Sequence, residues 1–437
     1  MIKVVKFGGS SVASAEQFKK VKNIIQADDK RRVVVVSALG KRNSEDSKIT
    51  DLLYLLSYHI RFKVDSSAIF SQIEQRYEEV RRELGINVDI KREIEVIKAD
   101  IKSGASEDYI VSRGEYLCAK LMANYLGYTF VDASEVIIFK YDGSIDNEKT
   151  IEAVKSKFSV YDRIVVPGFY GVYPTGEIKL FSRGGSDITG SILAMAINAG
   201  EYENWTDVSG LLMTDPRIVK NPEPISEITY DELRELSYMG ASVLHEETIF
   251  PVRDMNIPIH ILNTNRPQDK GTIICKTSTK SSYEITGIAG KKGYAAFTVG
   301  KKISANKLVA IRDTLNVFDK FNVNIEHIPT AVDSFSVIVE SNQIEKTLYD
   351  IVAEIKKVKG VTFVDVDSDI ALVAAVGRNM VLTPGISGKL FSFFGKHNIN
   401  IKSISQGTKE LNIIVGVSNK DFENAIQAIY SGIVLGE

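Results

Sequence analysis

Cysteine is scarce: Cys118 and Cys275 are the only two in 437 residues, far apart and in no CxxC context. A disulfide or thiolate-metal framework is thereby excluded, and a reducing cytoplasm is the expected compartment. Long apolar runs are missing too. The longest, such as 33–36 and 136–139, fall far short of the roughly 20 residues a membrane-crossing helix needs. Charge of one sign is absent as well: 54 Lys and Arg against 56 Asp and Glu leave a net charge of −2. Such a chain has no global basic field for nonspecific nucleic-acid binding. The opening MIKVVKFGG becomes strand-like within two residues, without the basic region and apolar core of a secretory leader. What remains is an ordinary globular composition, 44% hydrophobic, long enough for two or three domains.

Through about residue 265, β-rich apolar runs alternate with helical periodicity, the pattern of an α/β layer fold with a mostly parallel sheet. Strands are expected at 3–7, 32–37, 130–132, 163–168 and 257–262, and helices at 14–28 and 186–199. The charged stretch 71–102 sets Tyr77, Val80 and Leu84 at helical spacing and reads as a solvated helical layer or lid. The polar NTNRPQDKGT from Asn263 and the cluster at 278–282 mark a domain boundary. Beyond it the chain repeats itself: FDKFNVNI at 318–325 aligns with FGKHNINI at 394–401, an offset of 76 (394 − 318). The same offset carries FSVIV at 335–339 onto LNIIV at 411–415. Each unit reads as helix, a strand opening at the Asn-x-Asn-Ile block, a turn, a second strand and a second helix, the ferredoxin-like α+β pattern.

Chemistry concentrates at two glycine pairs. The first strand runs from Lys6 and Phe7 into Gly8-Gly9, where a backbone without Cβ atoms can approach an anion at a helix N-terminus. Alone, that is equally a tight turn with a surface lysine. A second block, Arg183-Gly184-Gly185-Ser186-Asp187, opens another helix with a cation, a hydroxyl and a carboxylate, as a nucleotide's phosphates and Mg²⁺ require. Neither the GxxxxGK[ST] loop nor the protein-kinase catalytic loop is present. His245-Glu246 lacks the second histidine of a zinc-protease helix, and Cys118 reads as a small core residue.

KFGGSSVA at 6–13, SRGE at 112–115, SRGGSD at 182–187, WTDVSG at 205–210, TDPR at 214–217 and MGASVLH at 239–245 closely resemble the motifs of the aspartokinases, in their order and spacing, over essentially the whole chain. The resemblance implies an amino-acid-kinase fold over 1–280. Two ACT modules would follow, one at 300–368 and one built from 284–299 plus 371–437. It implies that ATP phosphorylates the side-chain carboxylate of L-aspartate in the first step of the lysine, threonine and methionine pathway. A nucleophile already ionised at pH 7 needs no general base. Lys6 and Asp187 would be catalytic, with Asp187 holding Mg²⁺ on the ATP phosphates. Phe7, Gly8, Gly9, Ser37, Thr206, Asp207, Leu212, Arg217 and Ser242 would line ATP. Thr50, otherwise an N-cap, would bind aspartate with Glu115, Arg183 and Ser186. Trp205 reads as core rather than a stacking platform. Leu212 and Ser242 depart from the family's common tyrosine and lysine, which implies weaker ATP binding.

The lysine-sensitive members suggest an effector site at Ser304, Ile325, Glu326, Ser334 and Ser336, with Glu326 as counter-charge for a lysine ammonium. Its counterpart one repeat later is Lys402, so the two modules are expected to differ. A homodimer through the ACT modules, or a tetramer, is expected, with no nucleic-acid or membrane partner. At 437 residues no fused homoserine dehydrogenase is expected. The alternatives are another amino-acid kinase of this fold and a non-catalytic amino-acid sensor.

Overall fold

The computed structural model describes all residues except 183, 242–243, 245–247, 279–282, 303–306, 408–410 and 437. The chain divides into two compact units, Met1–Leu211 with Pro224–Tyr230 and Val243–Ser278, and Leu212–Glu223 with Asp231–Ser242 and Thr279–Glu437.

In the first unit the strands are β1 (Lys3–Phe7), β2 (Arg31–Val36), β3 (Thr129–Phe130), β4 (Ile164–Pro167), the hairpin pair β5 (Tyr170–Val172) and β6 (Ile178–Leu180), and β7 (Glu201–Thr206). After the short β8 (Leu211–Leu212) and β9 (Pro224–Ile225) come β10 (Glu227–Thr229), β11 (Ile259–Asn263) and β12 (Thr272–Cys275). Among the described residues, eight of these form one sheet in the order β10-β12-β11-β7-β1-β2-β4-β3. Every pairing is parallel except β11 with β12. Val33 to Val36 and Ile164 to Val166 are fully buried, because helices cover both faces and each strand becomes a continuous apolar run.

Helices α1 (Ala15–Gln26), α2 (Ile49–Arg61), α3 (Ser67–Leu84), α4 (Ile90–Lys102) and α5 (Glu107–Leu126) pack among themselves, and α5 lies on β2, β3 and β4. α6 (Asn147–Val160) and α7 (Gly185–Ala196) pack together, with α7 on β1, β2 and β7. The stretch 71–102 is helical, with an exposed charged face over a buried apolar stripe that includes Tyr77 and Val80. Gly85, at φ 63°, breaks it into α3 and α4, and α3 sends Arg76 and Tyr77 inward. Tyr77 Oη donates to Gly114 O at 2.7 Å, and Arg76 donates to Gly40 O at 2.8 Å while pairing with Asp46. Nor is Thr50 an N-cap: Lys48 occupies that position and Thr50 lies in the first turn of α2.

The second unit is built on two long strands, β13 (Gly287–Lys301) and β15 (Val361–Val376), with β14 (Ser334–Glu340), β16 (Ser403–Gln406) and β17 (Asn412–Val417) completing an antiparallel sheet in the order β14-β13-β15-β17-β16. Helix α8 (Tyr230–Tyr238) belongs here from Asp231 onward, while α9 (Phe250–Arg253) lies in the first unit. Helices α10 (Lys307–Lys320), α11 (Leu348–Lys357), α12 (Ile386–Lys396) and α13 (Phe422–Tyr430) complete the two modules. Segments 212–223 and 231–242 join this unit because β13 holds them: Ile288 N donates to Met213 O at 2.6 Å, and Gly287 packs on Leu236. The repeat survives in the backbone, since Asn322 and Asn398, 76 residues apart, both end a helix in the left-handed region that asparagine tolerates.

One strand expected at the Asn-x-Asn-Ile blocks is reduced. In the first module only bridges at His327 and Thr330 form, because Pro329 has no N–H to donate, whereas β16 forms two residues after Ile401.

Glu232 on α8 is fully buried and accepts from Thr286 Oγ1 at 2.6 Å, from Arg378 N at 2.8 Å and from the Arg378 guanidinium at 2.7 Å. Removing one partner of such a pair strands the other charge, so Glu232→Ala is expected to lower the stability of this unit by about 3–5 kcal/mol in denaturant unfolding. Glu232→Leu unfolding at the wild-type midpoint would contradict this.

Candidate active site

The carboxyl ends of the parallel strands bring their loops to one edge, where open α/β sheets hold ligands. β1 ends in Gly8-Gly9, and its Lys6 is only 7% exposed. Lys6 Nζ pairs with Asp187 Oδ1, in the first turn of α7, at 2.5 Å. The two glycine pairs singled out in the sequence therefore meet. A Cβ on Gly8 would lie 3.5 Å from Lys6 Nζ, and one on Gly9 only 3.2 Å from Ala38 O. Gly40 N donates to Gly9 O at 3.0 Å, so the loops after β1 and β2 lie backbone on backbone.

Helix α7 begins at Gly184, φ 61°, which has no side chain to cap the first-turn amides. Ser186 is buried against Gly168, whose Cβ would fall 2.5 Å from Ser186 Oγ. Next comes Phe169 at φ 79°, a costly conformation for an aromatic residue. Thr189 Oγ1 accepts its amide at 3.1 Å, and its carbonyl accepts from Phe181 N at 3.0 Å. This strained turn was not read from the sequence.

Glu115 is 4% exposed in the middle of α5. Gly114 lets the helix approach so closely that a Cβ there would sit 2.9 Å from Ala38 Cβ. Glu115 Oε1 accepts from Ala38 N at 3.0 Å, and Oε2 has no partner. Burial pushes its carboxyl up to about 7. Thr50 is half-buried on α2, which packs on α5, and Ser37 follows β2 with its amide on Phe7 O at 3.1 Å. Thr206 ends β7, its hydroxyl on exposed Asp207 at 3.2 Å.

Leu212 and Arg217 fall in the segment that clusters with the other unit; both are exposed, and Arg217 is held by Asp215 at 2.6 Å. Trp205 is core, stacked on Phe7 with ring centroids 6.0 Å apart. Cys118 is buried, its thiol pushed up by desolvation. Arg183, Ser242 and Ser304 lie outside the described residues, as do His245 and Glu246.

In the second unit, segment 326–331 runs antiparallel to β14, with Glu326 N on Ile338 O at 2.9 Å and Ser336 N on Pro329 O at 2.8 Å. Glu326 and Ser336 thus lie on neighbouring strands, with Ile325 just before Glu326, whereas Ser334 lies toward the other end, its carbonyl accepting from Ala331 N at 2.9 Å; Ser336 Oγ shares a hydrogen bond with Thr298 Oγ1 at 3.1 Å. The Glu326 carboxylate accepts the Tyr238 hydroxyl from α8. Lys402 instead pairs with Asp367 at 2.9 Å and Asp369 at 3.4 Å.

A second residue missed by the sequence reading is Asn204 on β7, whose Nδ2 donates to Asp187 Oδ1 at 3.0 Å. Among the described residues no group of three His, Cys, Asp or Glu side chains could hold a metal, and no helix is long and apolar enough to cross a membrane.

Comparison with known proteins places this edge in context. The amino acid kinase family matches residues 1–263, and the ACT domain matches residues 373–432. The chain is 32% identical to aspartokinase 3 of Bacillus subtilis (strain 168) over 453 aligned residues, covering 100% of this chain and 99% of that one. Among solved structures, an aspartate kinase of Clostridium acetobutylicum, described as an allosteric enzyme, shares 47% identity at a TM-score of 0.92, over 98% of this chain and 99% of its own. E. coli aspartokinase III, solved with aspartate and ADP, matches in fold at a TM-score of 0.73 and 24% identity over 99% of each chain. With the glycine pairs, Lys6, Asp187 and Glu115 converging on one sheet edge, the chain belongs to the aspartokinase family and is an aspartate kinase.

Proposed function

We propose that the chain transfers the γ-phosphoryl group of ATP to the side-chain carboxylate of L-aspartate, in the cytoplasm, as the first step toward lysine, threonine and methionine. The observation that carries this reading is the buried Lys6–Asp187 pair at the sheet edge, beside a buried glutamate with one oxygen unclaimed. A carboxylate oxygen of the substrate forms the new bond to γ-phosphorus, the bond to the β,γ-bridging oxygen breaks, and ADP leaves. Lys6 stabilises charge on the transferring oxygens, aided by the Gly8 and Gly9 amides. Phe7, Ser37, Thr206, Asp207, Leu212, Arg217 and Ser242 are proposed along the nucleotide. Glu115 pairs with the substrate ammonium, with Thr50 and Ser186 adding hydroxyls and Arg183 clamping a carboxylate.

Mg²⁺ fits the donor set as a cation held largely by phosphate oxygens. Among the described residues Asp187 Oδ2 takes no hydrogen bond, and no all-protein cage competes. Asp187 would hold it, and it would offset the negative charge of the β- and γ-phosphates.

For regulation, Glu326 is proposed as the counter-charge of a lysine effector. The aspartokinase III of E. coli was also solved with lysine and aspartate. The edge strand β16, and the outer edge of segment 326–331 that covers β14, are proposed to pair with a second copy in a homodimer.

ADP release that depends on L-aspartate tests the activity, and Lys6→Met should lower kcat by about 10²–10³-fold. An enzyme releasing no ADP with aspartate would sink the reading. Because Glu115 must be ionised to bind an ammonium and titrates near 7, log kcat/KM for aspartate should climb with a slope of about one below pH 7 and level off above it. Glu115→Gln should flatten that limb; a wild-type profile without an inflection near 7 would contradict the assignment. Lysine inhibition that persists unchanged in Glu326→Ala would remove Glu326 from the effector site.

A further inference from the structure

Strand β7 buries two polar side chains, Glu203, which is paired with Lys3 and Arg31, and Asn204. Tyr202 and Trp205 on either side are buried core, and Asn204, only 4% exposed, places a polar amide where the sheet interior favours a hydrocarbon. Its register partner across the parallel pairing with β1 is Lys6, so the two side chains leave the same face of the sheet, the face covered by α7. Tyr202, two residues earlier on that face, donates its hydroxyl to the main-chain oxygen of Asp187 at 3.0 Å. Asn204 donates to the side chain of the same residue at 3.0 Å. β7 thus grips Asp187 twice.

The orientation of the amide follows from chemistry. An ionised carboxylate only accepts, so the Asn204 nitrogen must face Asp187, and its oxygen is the other terminal atom. That oxygen is buried and has no partner. Leaving it so carries a desolvation cost that an apolar side chain of similar shape would avoid. The bond to Asp187 falls on Oδ1, the oxygen already paired with Lys6.

We propose that Asn204 is a positioning residue for phosphoryl transfer: its amide holds Asp187 Oδ1 when Lys6 turns to the nucleotide phosphates, keeping Oδ2 presented to the divalent cation, while its own oxygen accepts a hydrogen bond brought by the hydrated metal–nucleotide complex. The inference rests on the function proposed above. Without Asn204, the departure of Lys6 would leave Asp187 Oδ1 with no donor in a buried site. The carboxylate would then lose both its orientation and part of its stabilisation as an anion.

The test is binding of Mn²⁺ in the presence of the non-hydrolysable β,γ-imido analogue of ATP, read from the electron paramagnetic resonance signal of free Mn²⁺ in wild type, Asn204→Leu and Asn204→Ala. Both variants are expected to bind Mn²⁺ about 10–100-fold more weakly and to lose a similar factor in kcat, with KM for aspartate changed by less than about twofold. The alanine variant adds no bulk, so a packing clash in the leucine variant cannot decide the matter. A folded variant that binds Mn²⁺ as tightly as wild type overturns the proposal. So does a uniform loss in which KM for aspartate, kcat and thermal midpoint move together, the mark of a merely structural asparagine. If wild type itself fails to take up Mn²⁺ with the nucleotide analogue, the proposed function falls and this inference with it.

Discussion

The arrangement of the sheet edge depends on one buried ion pair, Lys6 with Asp187. A buried pair is a poor investment in stability, because removing two charges from water costs about as much as their attraction returns. Its location makes sense when the partners are exchangeable. A phosphate tail can take the ammonium and a divalent cation the carboxylate, each pole meeting its opposite without new charge being buried. The glycines at 9, 168 and 185 serve the same end, since a Cβ on each would meet backbone or a side chain that builds the edge. Phe169, held at positive φ by Thr189 and Phe181, is the conformational cost of bringing α7's first turn to that edge.

The opposite ends of the same strands show what charges look like when they are structural. There Lys3 pairs with Glu201 at 2.6 Å and Glu203 at 2.8 Å, Arg31 meets Glu203 at 2.8 Å, and Trp205 Nε1 donates to Glu203 at 2.8 Å. His260 Nδ1 lies 3.0 Å from Glu201. Burial raises the Glu201 carboxyl, yet its bonds to His260 and Lys3 outweigh burial and hold it down to about 2. Glu115, more deeply buried and without a cation in contact, is pushed the other way, to about 7. Two glutamates in one unit thus shift in opposite directions: Glu201 has protein cations in contact, and the more deeply buried Glu115 has none.

Periodicity and glycine chemistry made much of this legible. β1 was expected over its observed residues, Ser14 caps α1, and the helix after Gly184-Gly185 begins where the carboxylate suggested. The 76-residue repeat reappears as paired left-handed asparagines. What stayed hidden depends on contacts distant in sequence. Asn204 reads as one polar residue before WTDVSG, and only its register with Lys6 and the approach of α7 give it meaning. Tyr77 stood in the apolar stripe of a charged stretch, but the inward role of Arg76 appears only once Gly40 offers it a carbonyl. Pro329 could have warned that the strand after Ile325 would be broken, since it cannot donate to a ladder.

Duplication left the two modules with different charges at matching positions. Both modules share β13 and β15, which pair along nearly their whole length, so their backbones are constrained alike. Their side chains are not. Lys402 is closed by two aspartates, and a ligand claiming it would have to strip an ammonium from Asp367 and Asp369. Glu326 is tied instead by the neutral hydroxyl of Tyr238. A cation that displaces a phenol exchanges a neutral donor for a charge-assisted one, a step downhill in hydrogen-bond strength. Displacement would also free the end of α8, whose beginning is fastened through Glu232 to Thr286 and Arg378. On the proposed effector reading, the Tyr238 bond is the replaceable tie of α8, while those of Glu232 and of Glu235, which accepts from Asn412 Nδ2 at 2.6 Å, stay in place.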